Sequence, residues 1–363
     1  MAVSTIDPAG LNIGQIGGRR NLLINSDMRI DQRNGGASVT SSTSNLFSVD
    51  RWKLYDNVGG KYTAQQNAGS VTPPEGFYNY LGITSTSAYS VGTTENIFLM
   101  QFIEGYNTAH LGWGGANAKQ IAVSFWARSS LTGSFGGSIV NGDWNMSYPF
   151  NYTINSANTW EYKTIIIDGP TSGTWATTNG AGVKLAFGLG VGSNNLGTAD
   201  TWTSGTPWKI QPSGSINLVG TSGATLYITG VQLEVSPSGE ATPFEHRSYG
   251  EELSACQRYY SQYDGVVDNY QRVGTAHYSG ATNSYRAFSK LPVTMRVQPT
   301  ISLSGTSRLE ASGGSVNVTA LNGQNNGGRD FIGVDLGTSS MTGNDVNSWD
   351  LGTTGIIKAD AEL

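Results

Sequence analysis

Cysteine, histidine and charge are all scarce in this sequence of 363 residues. The single cysteine, Cys256, excludes an internal disulfide, and charged residues make up only 13% of the chain. A net charge of −5 leaves no basic stripe for a phosphate backbone, so nucleic acid is a poor candidate partner. No apolar run approaches the ~18 residues of a membrane-spanning helix, and the opening residues lack the pattern of a secretory signal. Neither membrane insertion nor export is predicted.

The signatures of catalysis are missing as well. The three histidines, His110, His246 and His277, lie far apart in the sequence, and none belongs to a metal-binding pair. The sequence has no G-x-S-x-G nucleophile elbow and no GxxxxGK[ST] phosphate loop. We therefore predict a protein that is not an enzyme, with no catalytic residue, no cofactor and no bound metal.

Two chemical alternatives stay open at this stage. Glycoside hydrolysis needs two carboxyl groups about 5–9.5 Å apart in a cleft. Four acidic residues are available for such a pair: Glu104, Asp143, Glu161 and Asp168. The alternation of Asp345, Asn347 and Asp350 offers hard oxygens to a calcium ion, although a solvated turn fits that segment better.

Glycine and small polar residues dominate what is present. The chain has 49 glycines and only 37% hydrophobic residues, a composition that favours short strands joined by turns. Residues 183–191 alternate between apolar side chains and small or polar ones, which is the pattern of a half-buried strand. Shorter runs at 121–125, 162–167 and 225–235 add further strands, and Gly230 marks a candidate β-bulge in the last of them. Many strands at this spacing predict a sandwich or jelly roll.

The composition changes at residues 236–239, which marks a domain boundary. We predict an all-β protein in three segments: an N-terminal arm at 1–20, a jelly-roll-like β-sandwich at 21–247, and a linking helix plus a smaller C-terminal β-sandwich at 248–363. Residues 249–262 carry the one clear helix pattern, in which Leu253, Cys256 and Tyr260 share a face. Cys256 is then predicted to be a small buried hydrophobic residue.

Three stretches of the sequence form a recognisable set. They are NLLINSDMRI at 21–30 with DRW at 50–52, ITGVQLEV at 228–235 running into ATPFEHR at 241–247, and EELSACQRYY at 251–260. In this order they resemble bacteriophage and prophage tail-fibre and related virion proteins. The likeness covers the ends of the first domain, the helix and the entry of the second domain. The middle of the chain, about 55–220, resembles the jelly-roll plan of carbohydrate-binding modules.

The resemblance implies a structural protein on the surface of a virion, with the tail favoured over the head, assembled in the host cytoplasm. It implies a homo-oligomer, with a trimer favoured, that attaches to other virion proteins through the arm. On this interpretation the protein is a tail fibre or receptor-binding protein that contacts a host-surface polysaccharide. The alternative is a purely structural part, such as a head decoration, a head fibre or a tail connector.

Aromatic side chains on loops are the residues that sugar binding would need, because the apolar face of a sugar stacks on them. Five tryptophans lie in Gly-, Asn- and Thr-rich segments, and one has an acidic neighbour. These residues are the glycan-binding candidates: Trp113, Trp144, Asp143, Trp175, Trp202 and Trp208. Core or interface packing is the alternative role for each of them. Trp52, Trp126 and Trp160 fall in or beside strand patterns and are predicted to be structural.

The predicted helix and the residues after it supply the candidates for an oligomer interface. These candidates are Leu253, Tyr259, Tyr260 and Tyr263. A symmetric assembly would cover exposed strand edges and add stability. The alternative is that the helix caps one sandwich of its own chain.

Overall fold

Strands dominate the protein in the computed structural model. The structure describes residues 19–44, 46–265, 270–279, 283–311, 314–324, 327–338 and 346–363. The chain divides into two compact units between Ser248 and Tyr249. The predicted all-β fold class, a jelly-roll-like sandwich followed by a short helix and a smaller β unit, is confirmed. Within the described ranges, no helix is long and apolar enough to cross a bilayer.

Two packed sheets make up the described part of the first unit. Its strands are β1 (Val39–Thr40), β2 (Leu46–Phe47), β3 (Lys53–Asp56), β4 (Tyr62–Gln66), β5 (Leu81–Ser85), β6 (Asn96–Glu104), β7 (Ile121–Ser129), β8 (Gly133–Asn141), β9 (Met146–Ile154), β10 (Glu161–Ile167), β11 (Ala181–Val191), β12 (Leu196–Gly197), β13 (Thr203–Ser204), β14 (Gln211–Pro212) and β15 (Thr225–Val235). A short helix, α1, spans Gly105–Thr108. Single 3-10 turns lie at Ala68–Ser70, Ala109–Leu111, Ser193–Asn195 and Leu218–Gly220.

The strand order is that of two antiparallel sheets facing each other. One sheet runs β1-β4-β5-β15-β7-β10 and the other β13-β9-β8-β11-β6-β3-β2, with β12 and β14 as a separate parallel pair. The alternating apolar residues of 183–191 enter the core between the sheets from β11, as Leu185, Phe187 and Leu189 do. The prediction of a half-buried strand is wrong, because the other face of β11 is buried as well. Burying such apolar faces from both sheets is the main source of stability in a sandwich.

The bulge predicted at Gly230 is present in β15. The pairing of β15 with β7 shifts register between Thr229 and Gln232, and Gly230 has a φ of +59°. A left-handed backbone at this point favours glycine. Because a bulge switches the side of the sheet that later residues face, Ile228, Val231 and Leu233 all reach the core.

A loop covers part of the outer face of the seven-stranded sheet. Ile210 and Gln211 are 0% and 2% exposed and lie against β8 and β11. A Cβ added at Gly136 or Gly188 would lie 2.6 Å or less from the Gln211 side chain. These two glycines therefore allow the loop to approach the sheet, and this part of the sheet is closed to large ligands.

The two ends of the first unit are held together by hydrogen bonds. Glu245 accepts hydrogen bonds from the backbone amides of Arg20 and Asn21, at 3.0 Å each. The Arg247 guanidinium donates to the carbonyl oxygens of Leu23 and Asn21. The Asn21 amide group in turn accepts from the Leu233 amide at 3.1 Å. We call this network the end clamp.

Most of the residues that carry the phage resemblance are used in such internal contacts. Trp52 is 0% exposed and donates its indole N–H to the Asn25 carbonyl oxygen at 3.0 Å. Asp50 is also buried; burial raises its pKa to about 6 even though Arg33 and Gln32 lie against it. These motif residues therefore stabilise the fold of the first unit and its end clamp.

The second unit combines a helix, a three-stranded sheet and a closed barrel. Its described elements are α2 (Tyr249–Gln257), β16 (Tyr260–Asp264), β17 (Gln271–Tyr278), β18 (Ser284–Lys290), β19 (Thr300–Ser304), β20 (Ser307–Ala311), β21 (Gly314–Gln324), β22 (Phe331–Thr338), β23 (Val346–Leu351) and β24 (Ile356–Asp360). The sheet order is β16-β24-β19, and the barrel order is β17-β18-β22-β21-β20-β23. The smaller β unit expected as a sandwich thus closes most of its strands into a barrel, which leaves those strands without a free edge.

Two element boundaries in this unit differ from prediction. The helix pattern at 249–262 ends at Gln257, and β16 begins at Tyr260, so Tyr260 does not lie on the helix. The last strand ends at Asp360, before the C-terminal residue. Cys256 is fully buried, as predicted.

Candidate functional site

Three of the predicted tryptophans pack against one another in the first unit. The ring centroids of Trp113 and Trp175 lie 4.7 Å apart, and Trp202 lies 5.6 Å from each of them. All three pairs meet edge to face, at interplanar angles of 75–86°. This geometry places the positive edge of one ring on the negative face of the next. We call these residues the tryptophan triangle.

Each indole N–H of the triangle is already held by a backbone carbonyl oxygen. Trp113 donates to Lys119 at 2.8 Å, Trp175 to Ser172 at 3.2 Å, and Trp202 to Asp168 at 2.7 Å. Trp113 is only 9% exposed, whereas Trp175 and Trp202 are partly exposed. Trp113 is therefore the buried ring against which the other two pack. The exposed parts of Trp175 and Trp202 can stack on a ligand without a prior rearrangement of their side chains.

The remaining two predicted tryptophans form a second pair. Trp144 and Trp208 lie 4.4 Å apart, and both are partly exposed. The Lys184 ammonium lies 3.5 Å from the Trp144 ring centre and donates to the Gly142 carbonyl oxygen at 2.7 Å. Burial lowers the pKa of Lys184 to about 7, against the opposing effect of the nearby Asp143 carboxylate. The side chain of Asp143 itself is exposed beside this pair.

Asn141 connects the loops that carry the two groups. Its side chain is 0% exposed and accepts hydrogen bonds from the amides of Asn145 and Met146 at 2.9 and 3.0 Å. Its amide nitrogen donates to the Thr174 carbonyl oxygen at 3.1 Å. These bonds stabilise the hairpin turn in which Trp144 takes a φ of +58°. Sequence reasoning did not single out Asn141, although its place in an Asn-Gly-Asp turn was a usable signal.

A groove of about 570 Å³ is lined in part by residues that adjoin Trp202 and Trp208 in the chain. Thr203 and Lys209, which follow Trp202 and Trp208 directly in the chain, both line it. The other lining residues are both polar and apolar: Asn151, Leu196, Gly197, Thr198, Ala199, Pro212 and Ser213. A volume in this range matches pockets that hold small organic ligands, and the groove offers hydroxyl and amide partners.

The predicted interface residues are placed differently from one another. Tyr259 and Tyr260 are 1% and 2% exposed, so they belong to the interior of their own unit and cannot contribute to an interface in this fold. The reason is the early end of the helix, after which the chain turns both rings inward. Tyr263 is partly buried and donates to the Lys290 carbonyl oxygen at 2.6 Å, and Leu253 is partly exposed.

The acidic residues considered for catalysis have separate surroundings. Glu104 is 1% exposed, and Asp168 accepts a hydrogen bond from Gln120. Glu161 has a pKa lowered to about 2, because hydrogen bonds from Lys163 and from the residues at 155 and 156 outweigh the effect of burial. A carboxyl group with that pKa is ionised at neutral pH and is unsuited to the role of general acid.

The described structure does not bring the three candidate calcium ligands together. Asp345 lies outside the described residues, while Asn347 and Asp350 are on β23. Asp350 is 4% exposed, and its carboxylate lies 3.6 Å from the Arg308 guanidinium. Over the described ranges, no group of three or more His, Cys, Asp or Glu side chains is arranged to hold a metal ion.

Comparison with known proteins finds no matching family model and no matching curated protein. Solved structures do match. A putative sugar binding protein from Bacteroides thetaiotaomicron VPI-5482 is 12% identical, with a TM-score of 0.35, and covers 60% of this chain and 100% of its own. The TmCBM61 structure in complex with beta-1,4-galactotriose is 10% identical, with a TM-score of 0.31 and coverages of 60% and 100%.

A third similar structure is the family 11 carbohydrate-binding module from Clostridium thermocellum in complex with a beta-1,3-1,4-mixed-linked tetrasaccharide. It is 12% identical, with a TM-score of 0.26, and covers 54% of this chain and 96% of its own. With identities below 25% and TM-scores below 0.5, none of these likenesses transfers a ligand or a binding residue to this chain.

Proposed function

We propose that this protein is a non-catalytic, receptor-facing component of a bacteriophage particle, a tail fibre or receptor-binding protein whose first unit binds a host-surface glycan. The observation that carries the glycan-binding part is the clustering of Trp175 and Trp202 as partly exposed, mutually braced rings on polar loops. The virion part rests on the sequence resemblance described above.

Braced aromatic rings suit sugar binding for an energetic reason. Each contact with a glycan contributes little binding free energy, and ordering a flexible surface on binding would cancel much of that contribution. Here Trp113 and three backbone carbonyl oxygens hold the rings in place before any ligand arrives. In the groove, the polar side chains of Asn151, Thr203 and Lys209 then offer partners for sugar hydroxyl groups.

Binding to an array of bacterial surface glycans tests this part of the proposal. We expect Trp175→Ala and Trp202→Ala to weaken binding at least tenfold, since aromatic contacts supply most of the apolar burial. Trp160→Ala is the matched control, because Trp160 is a partly exposed tryptophan that packs against Tyr80, outside the triangle. An equal loss in all three variants, or no glycan bound by the folded protein, contradicts the proposal.

The virion part has its own test. The proposal includes a surface position on the particle, a trimer, and attachment through the N-terminal arm. Removing residues 1–18 spares Arg20 and Asn21, whose amides belong to the end clamp. We expect this truncation to keep the fold and the glycan binding but to lose attachment to particles, as seen by labelling in electron micrographs. Unchanged incorporation of the truncated protein contradicts attachment through the arm.

A further inference from the structure

The first unit contains a second concavity, whose lining includes none of the tryptophans. It has a volume of about 250 Å³ and is bounded by the chain at 21–24 and by the residues around α1. Apart from residues 21–24, its lining consists of Arg19, Tyr106, Asn107, His110 and Arg247. We call it the arginine pocket.

The charge of this pocket is opposite to that of the whole chain. The protein carries a net charge of −5, yet two arginines line the pocket and none of its lining residues is a carboxylate. Arg247 has a side chain only 6% exposed, and Glu245 balances its charge at 3.1 Å. Arg19 is exposed and makes no ion pair with any residue that the structure describes. Its guanidinium is therefore the charge left for an anionic group to approach.

The remaining lining groups are suited to a ring that carries hydroxyl groups. Tyr106 is 62% exposed, and its backbone is fixed by a hydrogen bond from its amide to the Thr178 carbonyl oxygen at 2.9 Å. Burial and the charge of Lys119 keep the pKa of His110 below its usual value, so the neutral imidazole can both donate and accept a hydrogen bond. Asn107 is exposed beside it and offers one acceptor and two donor hydrogens.

We propose that the arginine pocket binds a single acidic sugar residue, with its carboxylate on Arg19, its ring on Tyr106 and its hydroxyl groups on Asn107 and His110. Guanidinium groups recognise carboxylates bidentately, which favours an acidic sugar over a neutral one. The pocket is slightly smaller than those that hold drug-sized ligands, so it has room for one sugar unit. This site is additional to the tryptophan surface and does not depend on it.

Titration of the full chain with three small probes tests the proposal. The probes are glucuronate, glucose and inorganic phosphate, followed by calorimetry and by the imidazole Cε1–H resonances of the three histidines. We expect glucuronate alone to bind and to shift the His110 resonance, which His110→Gln identifies by removing it. Arg19→Gln should weaken glucuronate binding about tenfold to a hundredfold, the size expected for loss of a charge-assisted hydrogen bond. Arg128→Gln, a partly exposed arginine on β7, removes the same charge elsewhere and should leave binding unchanged.

Three results would overturn the inference. They are equal affinity for glucose and glucuronate, phosphate binding as tight as glucuronate binding, and an Arg19→Gln variant with undiminished affinity. The first denies a role for the carboxylate, the second a role for the sugar ring, and the third a role for Arg19. None of them affects the array test of Trp175 and Trp202, so failure here and failure of the proposed function are distinguishable.

Discussion

Replacing Asn141 by alanine should destabilise the first unit by about 2 kcal/mol. The buried side chain makes hydrogen bonds to the amides of Asn145 and Met146, to the Asn145 side chain and to the Thr174 carbonyl oxygen. Each such bond contributes about 1 kcal/mol net, which would give ~4 kcal/mol for all of them. Asn145 and Thr174 are exposed, so water can replace part of what is lost, whereas the Met146 amide is buried and keeps its full penalty.

Urea unfolding and calorimetry of the full chain would measure this loss. For a unit of this size, 2 kcal/mol corresponds to a fall in Tm of ~4–8 °C. Asn151→Ala is the matched control, since Asn151 lies on the following strand, β9, and makes one side-chain hydrogen bond, to Ser215 at 3.3 Å. If the two variants lose equal stability, Asn141 does not hold the loops together and our account of the site is wrong.

Three further predictions concern charge and backbone geometry. Lys184 has a pKa of about 7 in the folded state and 10.5 in the unfolded state, so its burial destabilises the protein fully below pH 7 and progressively less up to pH 10. In urea unfolding at pH 6, 8 and 10, the stability of the wild type should therefore rise relative to that of Lys184→Met. Hydrogen bonds in the end clamp lower the pKa of Glu245 despite burial, so Glu245→Gln should cost stability at pH 7, and the difference should shrink as the pH falls below 4.5 through that lowered pKa. Gly230→Ala should lower stability by more than 1 kcal/mol in the same assay, because its φ is positive and an added Cβ would lie 2.5 Å from the Phe77 ring. Gly214→Ala should cost less, because Gly214 has a φ of +84° but an added Cβ there would have no atom within 4 Å.

Each of these predictions has an outcome that contradicts it. A pH-independent difference between wild type and Lys184→Met would mean that the ammonium is not buried at a cost. A Glu245→Gln effect that does not shrink as the pH is lowered would mean that the carboxylate charge is not involved. Equal losses at Gly230 and Gly214 would mean that backbone conformation alone, without the Phe77 contact, explains the glycine at the bulge.

The strands were predictable because their signal is local. The period-two pattern at 183–191 and the interruption at Gly230 follow from side chains that alternate between faces, and both are present in the structure. The end of the helix was not predictable, because Leu253, Cys256 and Tyr260 fit a helical face equally well whether or not the chain turns at Gln257.

The tryptophans were predictable as loop residues but not as a cluster. Trp113, Trp175 and Trp202 come from three loops that meet only because β13 pairs with β9 and the two sheets pack face to face. Such non-local pairings leave no periodic trace in the sequence. The same holds for the arginine pocket, in which residues near 20 and near 247 are joined to the segment at 106–110.

The end clamp has a consequence for how the first unit is inserted into the chain. The first and last residues of the jelly-roll unit lie side by side. The chain therefore enters and leaves the unit at the same place. The residues between the two clamped segments can be replaced without moving the segments that flank the unit. The motifs at 21–30 and 241–247 therefore lie at the two borders of the unit, and the loops that carry the tryptophan triangle lie in the chain between them.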